Sequence, residues 1–256
     1  MIEVKNLTKV YGDHVAVDDI SFSIDDGKIY GFLGPNGAGK STTMNIMTGY
    51  LAATSGSVTI NGHDIVKEPG EAKKCIGYLP ELPPLYSDMT VNEYLWFVSE
   101  LKKIPKEAAK MQISDVLGLT GIIDVKDRLI KNLSKGYKQR VGLAQAIIGY
   151  PPIIILDEPT VGLDPKQIIE IRDLIKKLGQ NHTVILSSHI LSEVSAVCDN
   201  IIIISNGKLV ASDTAEGLQE RTSKGETALE VIAMGSKDSA DKVLASIPEI
   251  RSFEYR

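Results

Sequence analysis

The architecture of this chain turns on one stretch, Gly34-Pro35-Asn36-Gly37-Ala38-Gly39-Lys40-Ser41-Thr42. It fits the pattern G-x-x-x-x-G-K-[ST] in full. A short apolar run, Ile29-Tyr30-Gly31-Phe32-Leu33, comes before it and reads as a buried strand. Ser41 to Tyr50 follows without a proline and reads as a helix ending near Gly49. Strand, glycine-rich loop and helix in that order make a cradle for phosphate. The glycines permit positive φ and let backbone N–H groups converge on phosphate oxygens. The helix N-terminus adds its positive end. Lys40 is expected to reach β- and γ-phosphates, and Ser41 to offer its hydroxyl to Mg²⁺.

A second piece of chemistry lies further along. Ile153-Ile154-Ile155-Leu156 is an apolar strand that ends in Asp157 and Glu158. Such a strand is expected beside the loop's strand in the core of a sheet. Its carboxyl end then delivers Asp157 toward the Mg²⁺ site, directly or through water. Glu158, one residue on, points to a different side and suits a general base that polarises water for attack on the γ-phosphate. His189 follows Val184-Ile185-Leu186-Ser187-Ser188. Taken alone, it fits either a γ-phosphate contact or a structural histidine.

The rest of the chain supplies the frame. Two alternating runs, Ile2 to Tyr11 and Val15 to Ile24, read as strands. Val58-Thr59-Ile60 before Asn61-Gly62 is a hairpin signal. Residues 82–150 read as a helical insertion: Thr90-Val91-Asn92-Glu93 looks like a capping box, and Lys106–Leu117 and Gln139–Ile148 read as helices. Beyond it, strands at 153–156, 183–187 and 201–205 alternate with helices at 166–178 and 191–197. That alternation predicts an α/β fold with a parallel sheet and helices on its faces. After about residue 216, a strand at 227–232, a helix at 238–246 and a strand at 250–255 predict a partial accessory βαβ region over 217–256.

Composition narrows the function. A net charge of −5 argues against a protein that binds nucleic acid mainly by neutralising phosphates. Two cysteines, Cys75 and Cys198, make no disulfide framework and fit a reducing compartment. The opening residues carry no basic segment followed by an apolar one, so no signal peptide is expected. No apolar run is long enough to span a membrane. A membrane role would therefore come through a partner.

Together these motifs resemble the ATP-binding subunit of ABC transporters. Leu133-Ser134-Lys135-Gly136-Tyr137 is similar to that family's LSGGQ signature, between the phosphate loop and the acidic strand. Gly162-Leu163-Asp164 resembles the loop that couples two nucleotide sites, and His189 matches the switch histidine. The resemblance implies a P-loop cassette over residues 1–216: an N-terminal antiparallel β subdomain, a parallel-sheet core and a helical subdomain. It implies ATP as substrate with Mg²⁺, Tyr11 stacked on adenine, and two cassettes head to tail. Ser134 and Gly136 of one cassette would then bind the γ-phosphate held by the other, a homodimer or a pair with a sister subunit. Two departures stand out. Lys135 and Tyr137 replace Gly and Gln of the signature, and Glu81 stands where the family usually has a Gln that ligates Mg²⁺. A carboxylate can still ligate that metal.

The same resemblance implies a separate integral membrane permease docked on the helical region, with Trp96 and Phe97 as candidates for the groove or for simple packing. It implies a cytoplasmic ATPase at the inner face of the cell membrane. The signature, the Tyr78-Leu79-Pro80-Glu81 stretch and the appended C-terminal region look like bacterial multidrug, antibiotic or sodium efflux ATPases. The alternative is a soluble ABC ATPase of translation or DNA maintenance. No sustained heptads fill the gap between Lys40 and Ser134, which speaks against the chromosome-handling type.

Overall fold

A computed structural model of the chain describes residues 1–218. Those residues, Met1–Leu218, form one compact unit. The C-terminal elements expected at 227–255 lie outside the described residues.

The chain opens with β1 (Ile2–Tyr11) and β2 (His14–Ile24), paired antiparallel with Ile2 opposite Ile24. Ile2, Val4 and Leu7 of β1 and Val17, Ile20 and Ile24 of β2 are buried, so the alternation read from sequence is the pleat with one face inward. β3 (Ile29–Leu33) and α1 (Lys40–Met47) flank the glycine-rich loop. β4 (Ser55–Ile60) and β5 (His63–Asp64) form the Asn61-Gly62 hairpin. These pieces give a four-stranded antiparallel sheet in the order β2-β1-β4-β5.

The second sheet is built from longer crossovers. α2 (Pro69–Lys74) leads into β6 (Ile76–Leu79). Then come α3 (Val91–Leu101), α4 (Lys106–Thr120) and α5 (Lys135–Ile147). β7 (Ile153–Leu156), α6 (Pro165–Gly179), β8 (Thr183–Ser188), α7 (Leu191–Ser195), β9 (Asn200–Ser205) and β10 (Lys208–Thr214) complete it. The six strands run in the order β10-β9-β3-β8-β7-β6. All neighbours are parallel except β10, which folds back antiparallel on β9.

This order corrects one expectation. β7 does not lie beside the loop's strand: β8 is between them, and β9 takes the other edge of β3. Burial could not reveal this. β7 and β8 are both buried along their whole length, so an all-apolar run marks a central strand without naming its neighbour.

β7 also shows why such a strand is apolar throughout. Ile153 and Ile155 face a core shared with the antiparallel sheet and α1, including Ile20, Met44 and Ile60. Ile154 and Leu156 face the other core, packed by the helices through Leu95, Val141 and Leu174. The strand is thus sandwiched between two apolar layers.

Local signals fix the helix starts. Thr90 caps α3 as a full capping box: its Oγ1 accepts the Glu93 N–H at 3.2 Å, and Glu93 Oε2 accepts the Thr90 N–H at 2.8 Å. Ser134 Oγ accepts the Tyr137 N–H at 3.4 Å, so α5 starts at Lys135, four positions ahead of the expected Gln139. The glycine in the signature hides that first turn from a propensity reading. β6, α2 and β10 are elements the sequence reading did not assign. Asn206-Gly207, which turns β9 into β10, is the same hairpin dipeptide as Asn61-Gly62.

Candidate nucleotide site

The glycine-rich loop leaves the carboxyl end of β3 and feeds α1. Gly39 caps α1 at φ 103°, a conformation an L side chain rarely adopts, and a Cβ there would lie 2.5 Å from the Ala16 carbonyl oxygen. The loop is tied to the β9–β10 turn. Gly207 N–H donates to the Ala38 carbonyl at 3.0 Å, and the Gly207 carbonyl accepts the Asp18 N–H at 2.8 Å. Gly207 therefore joins the loop to β2. With no side chain at its cap, the first turn of α1 keeps its N–H groups directed at the cleft.

Lys40 is the first residue of α1 and is 6% exposed. Its Nζ donates to the Gly34 carbonyl at 2.7 Å and the Pro35 carbonyl at 3.3 Å. It also lies 3.5 Å from Glu158 Oε1, with both side chains nearly buried. Ser41 Oγ donates to Asp157 Oδ1 at 3.1 Å. The loop and the acidic strand end thus meet despite the strand between them.

That intervening strand supplies what the sequence reading missed. Ser187, at the end of β8, donates its Oγ–H to Asp157 Oδ1 at 2.6 Å and accepts the Glu158 N–H at 2.8 Å. Glu158 has φ 47°, and the strain of such a non-glycine residue is on the order of 1–3 kcal/mol. A third buried acid, Glu193 on α7, accepts from Thr160 Oγ1 at 2.8 Å and Ser188 Oγ at 3.0 Å. It staples the chain after Glu158 to the chain before His189. The visible signal for both was a pair of serines ending an apolar strand, Ser187-Ser188. Hydroxyls buried there must bond to something.

His189 Nδ1 lies 3.2 Å from Glu158 Oε2, and its side chain is 41% exposed. Glu158 therefore has a buried cation on one side and a partly exposed imidazole on the other. Behind the acids, Tyr78 of β6 bonds to Asn45 Oδ1 at 3.0 Å. Burial, helped by the negative charge of Asp157, pushes its phenol pKa well above the ordinary value.

Lys40, Ser41, Glu158 and His189 line one open cleft of about 520 Å³, whereas Asp157, Ser187, Glu193 and Tyr78 are not among its lining residues. Tyr11, residues 36–42, Glu81, Glu158 and His189 face it, joined by His14, Ala16 and Val161. Gly34 and Pro35 are not among the lining residues and meet the cleft only through Lys40, which donates to their carbonyls. Lys9 Nζ rests 5.0 Å from the centre of the Tyr11 ring, and that ring is half exposed at the rim. Glu81 lines the cleft without a bond to Ser41 or Asp157 among the described residues. Ser134 and Gly136 are not part of it. Ser134 is exposed at the start of α5, and Gly136 packs so closely on Gln167 of α6 that a Cβ would come within 2.8 Å of its amide. Asp164 caps α6, accepting the Gln167 N–H at 2.9 Å. Trp96 and Phe97 are partly buried against the core, and Phe97 stacks edge-on with Tyr86 at 5.2 Å. No helix among the described residues is long and apolar enough to cross a membrane.

Known proteins resemble this chain in sequence and in fold. The ABC transporter family profile matches residues 17–161. The bacitracin transport ATP-binding protein BcrA of Bacillus licheniformis is 40% identical over 226 residues, 88% of this chain and 73% of that protein. The linearmycin resistance ATP-binding protein LnrL of Bacillus subtilis is 35% identical over 251 residues, 98% of this chain and 80% of that protein. A dimeric post-hydrolysis ATP-binding cassette bound to ADP and phosphate matches the fold with a TM-score of 0.76 and 27% identity, covering 84% of this chain and 98% of that one. With the family profile matching more than half of its length and relatives 35–40% identical over most of it, the chain belongs to the ABC transporter family and is an ATP-hydrolysing cassette subunit.

Proposed function

We propose that this cassette powers export of antibiotic-like compounds through a separate membrane permease, working as one half of an ATP-clamped pair at the inner face of the cell membrane. The observation that carries the reading is the single cleft in which Lys40, Ser41, Glu158 and His189 converge. Its likeness to bacitracin-transport and linearmycin-resistance subunits supports the cargo class and the outward direction.

The residues divide the work. The 34–42 amides and Lys40 bind the β- and γ-phosphates, and ATP would displace Lys40 from the Gly34 and Pro35 carbonyls. Tyr11 offers a ring face to adenine. The donor set suits Mg²⁺: hydroxyl and carboxylate oxygens of Ser41 and Asp157 already in contact, with Glu81 on the same cleft, and no sulfur or nitrogen ligand. Bound there, the ion would neutralise charge on the phosphates. Glu158 takes a proton from the attacking water, and Lys40 and His189 balance the charge around it. Ser134 and Gly136 lie outside the cleft, which supports their use in a partner's site. A helix N-terminus with an exposed serine is suited to phosphate. The partner is a second copy or a sister subunit. Residues 1–216 are assigned to the cassette.

Export is tested by expressing the chain with a candidate multi-span permease from the same genome in a sensitive bacterium. Tolerance of peptide antibiotics should rise, and should return to baseline with Glu158→Gln. If ATP turnover responds to ribosomes or DNA and tolerance stays at baseline, the soluble alternative replaces this reading.

A further inference from the structure

We propose that Ser187 is a positioning residue for ATP hydrolysis, one hydroxyl that fixes the Asp157 carboxylate and the Glu158 backbone together. The inference rests on the roles proposed above for those two acids.

The strand order makes this possible. β8 runs between β3, which carries the phosphate loop, and β7, which carries the acids. Its end is the one strand end adjacent to both. Phe32 and Ser187 are paired across β3 and β8, and Leu156 pairs with Leu186, so Ser187 is level with Asp157. Ser187 is fully buried, at 0% exposure. A hydroxyl has one hydrogen to give and can accept more than one. Here the hydrogen goes to Asp157 Oδ1 at 2.6 Å, and the oxygen accepts the Glu158 N–H at 2.8 Å.

Each bond does something the site needs. Asp157 Oδ1 receives two hydroxyls, from Ser187 and from Ser41 at 3.1 Å. That fixes the rotation of the carboxylate. Glu158 holds a left-handed backbone at φ 47° directly before Pro159, which narrows the choice further. Its N–H is anchored on Ser187, so the side chain leaves toward Lys40 at 3.5 Å and His189 at 3.2 Å. Without the hydroxyl, a buried N–H loses its acceptor and a buried carboxylate loses a donor. Both acids then drift, while the phosphate loop is untouched.

The test compares Ser187→Ala with Ser187→Thr and with Ser99→Ala. Ser99 is equally buried, and its hydroxyl serves only the Leu95 carbonyl of α3 at 2.8 Å. Ser187→Ala should lower kcat by about tenfold to a hundredfold, as the loss of a supporting partner does. The KM for ATP should stay within about threefold, because uniform binding is retained. Affinity for Mn²⁺ in the presence of ADP, read from the paramagnetic resonance of the free ion, should fall about tenfold. Ser187→Thr should restore both readings. Ser99→Ala should lower the melting temperature alone. Should the alanine variant not fold, Ser187→Cys carries the same expectation, since a thiol is a weak donor and acceptor. A Ser187→Ala protein that melts earlier yet keeps wild-type kcat and Mn²⁺ affinity overturns the inference. Asp157→Asn and Glu158→Gln run in parallel separate the two readings. If those turn over normally, the roles of the acids are wrong; if they are dead while Ser187→Ala is normal, only this inference fails.

Discussion

Lys40 carries two loads. It is a buried cation held by two loop carbonyls, and it balances the buried Glu158 carboxylate 3.5 Å away. Removing it leaves that acid with only the partly exposed His189 imidazole in a poorly solvated place, which costs more than losing a surface pair would. Lys40→Ala should therefore abolish ATP binding, measured by calorimetry, and should also lower stability; a variant that still binds ATP tightly would show that the loop amides suffice. His189 is different, because it is partly exposed and touches Glu158. His189→Ala should leave ATP affinity near wild type and cut turnover by about 10²–10⁴, the range for a lost proton-transfer or charge-balancing partner. Unchanged turnover would make it a structural histidine. The sequence marked Lys40 through the phosphate-loop pattern, whereas His189 alone fits two readings and was singled out by its match to the family's switch histidine. Ser187 and Glu193 stayed silent there, since a buried hydroxyl or carboxylate reveals its job only through partners distant in sequence.

At the level of elements, α5 joins stability to function through its N-cap residue. Ser134 Oγ caps the helix, and the same exposed serine is the proposed contact for a partner's phosphate. The two roles separate by substitution. Ser134→Ala should cost about 1 kcal/mol of stability from the lost cap, seen in thermal unfolding. Ser134→Arg adds bulk and charge at the interface and should stop turnover in the wild-type assembly; intact turnover would sink the shared-site reading. Thr90 offers a control, since neither it nor Glu93 lines the cleft. Thr90→Ala should lose a similar amount of stability with the ATPase rate unchanged. Elements with strong local signals were legible, such as the phosphate-loop strand and helix, the Asn61-Gly62 hairpin and the Thr90 cap. The order of parallel strands was not. Hydrophobicity says that β7 and β8 are central, but only crossover geometry decides which one touches β3. β6 has only four residues and β10 is largely exposed or half-exposed, and both gain their strand character from the neighbours they pair with.

For the whole molecule, the central claim is that the catalytic unit comprises two cassettes. One chain supplies the phosphate loop, the acids and the histidine to one cleft, while Ser134 and Gly136 stand outside it. ATP turnover by the isolated protein should then rise faster than linearly with its concentration. The most direct measurement is the mass in solution of Glu158→Gln with Mg-ATP, by sedimentation or light scattering. The account predicts a species of twice the 27.8 kDa chain mass that needs ATP, dissolves to monomer with ADP, and turns over no nucleotide. A variant that stays monomeric with ATP bound, or that hydrolyses ATP at the wild-type rate, would contradict it.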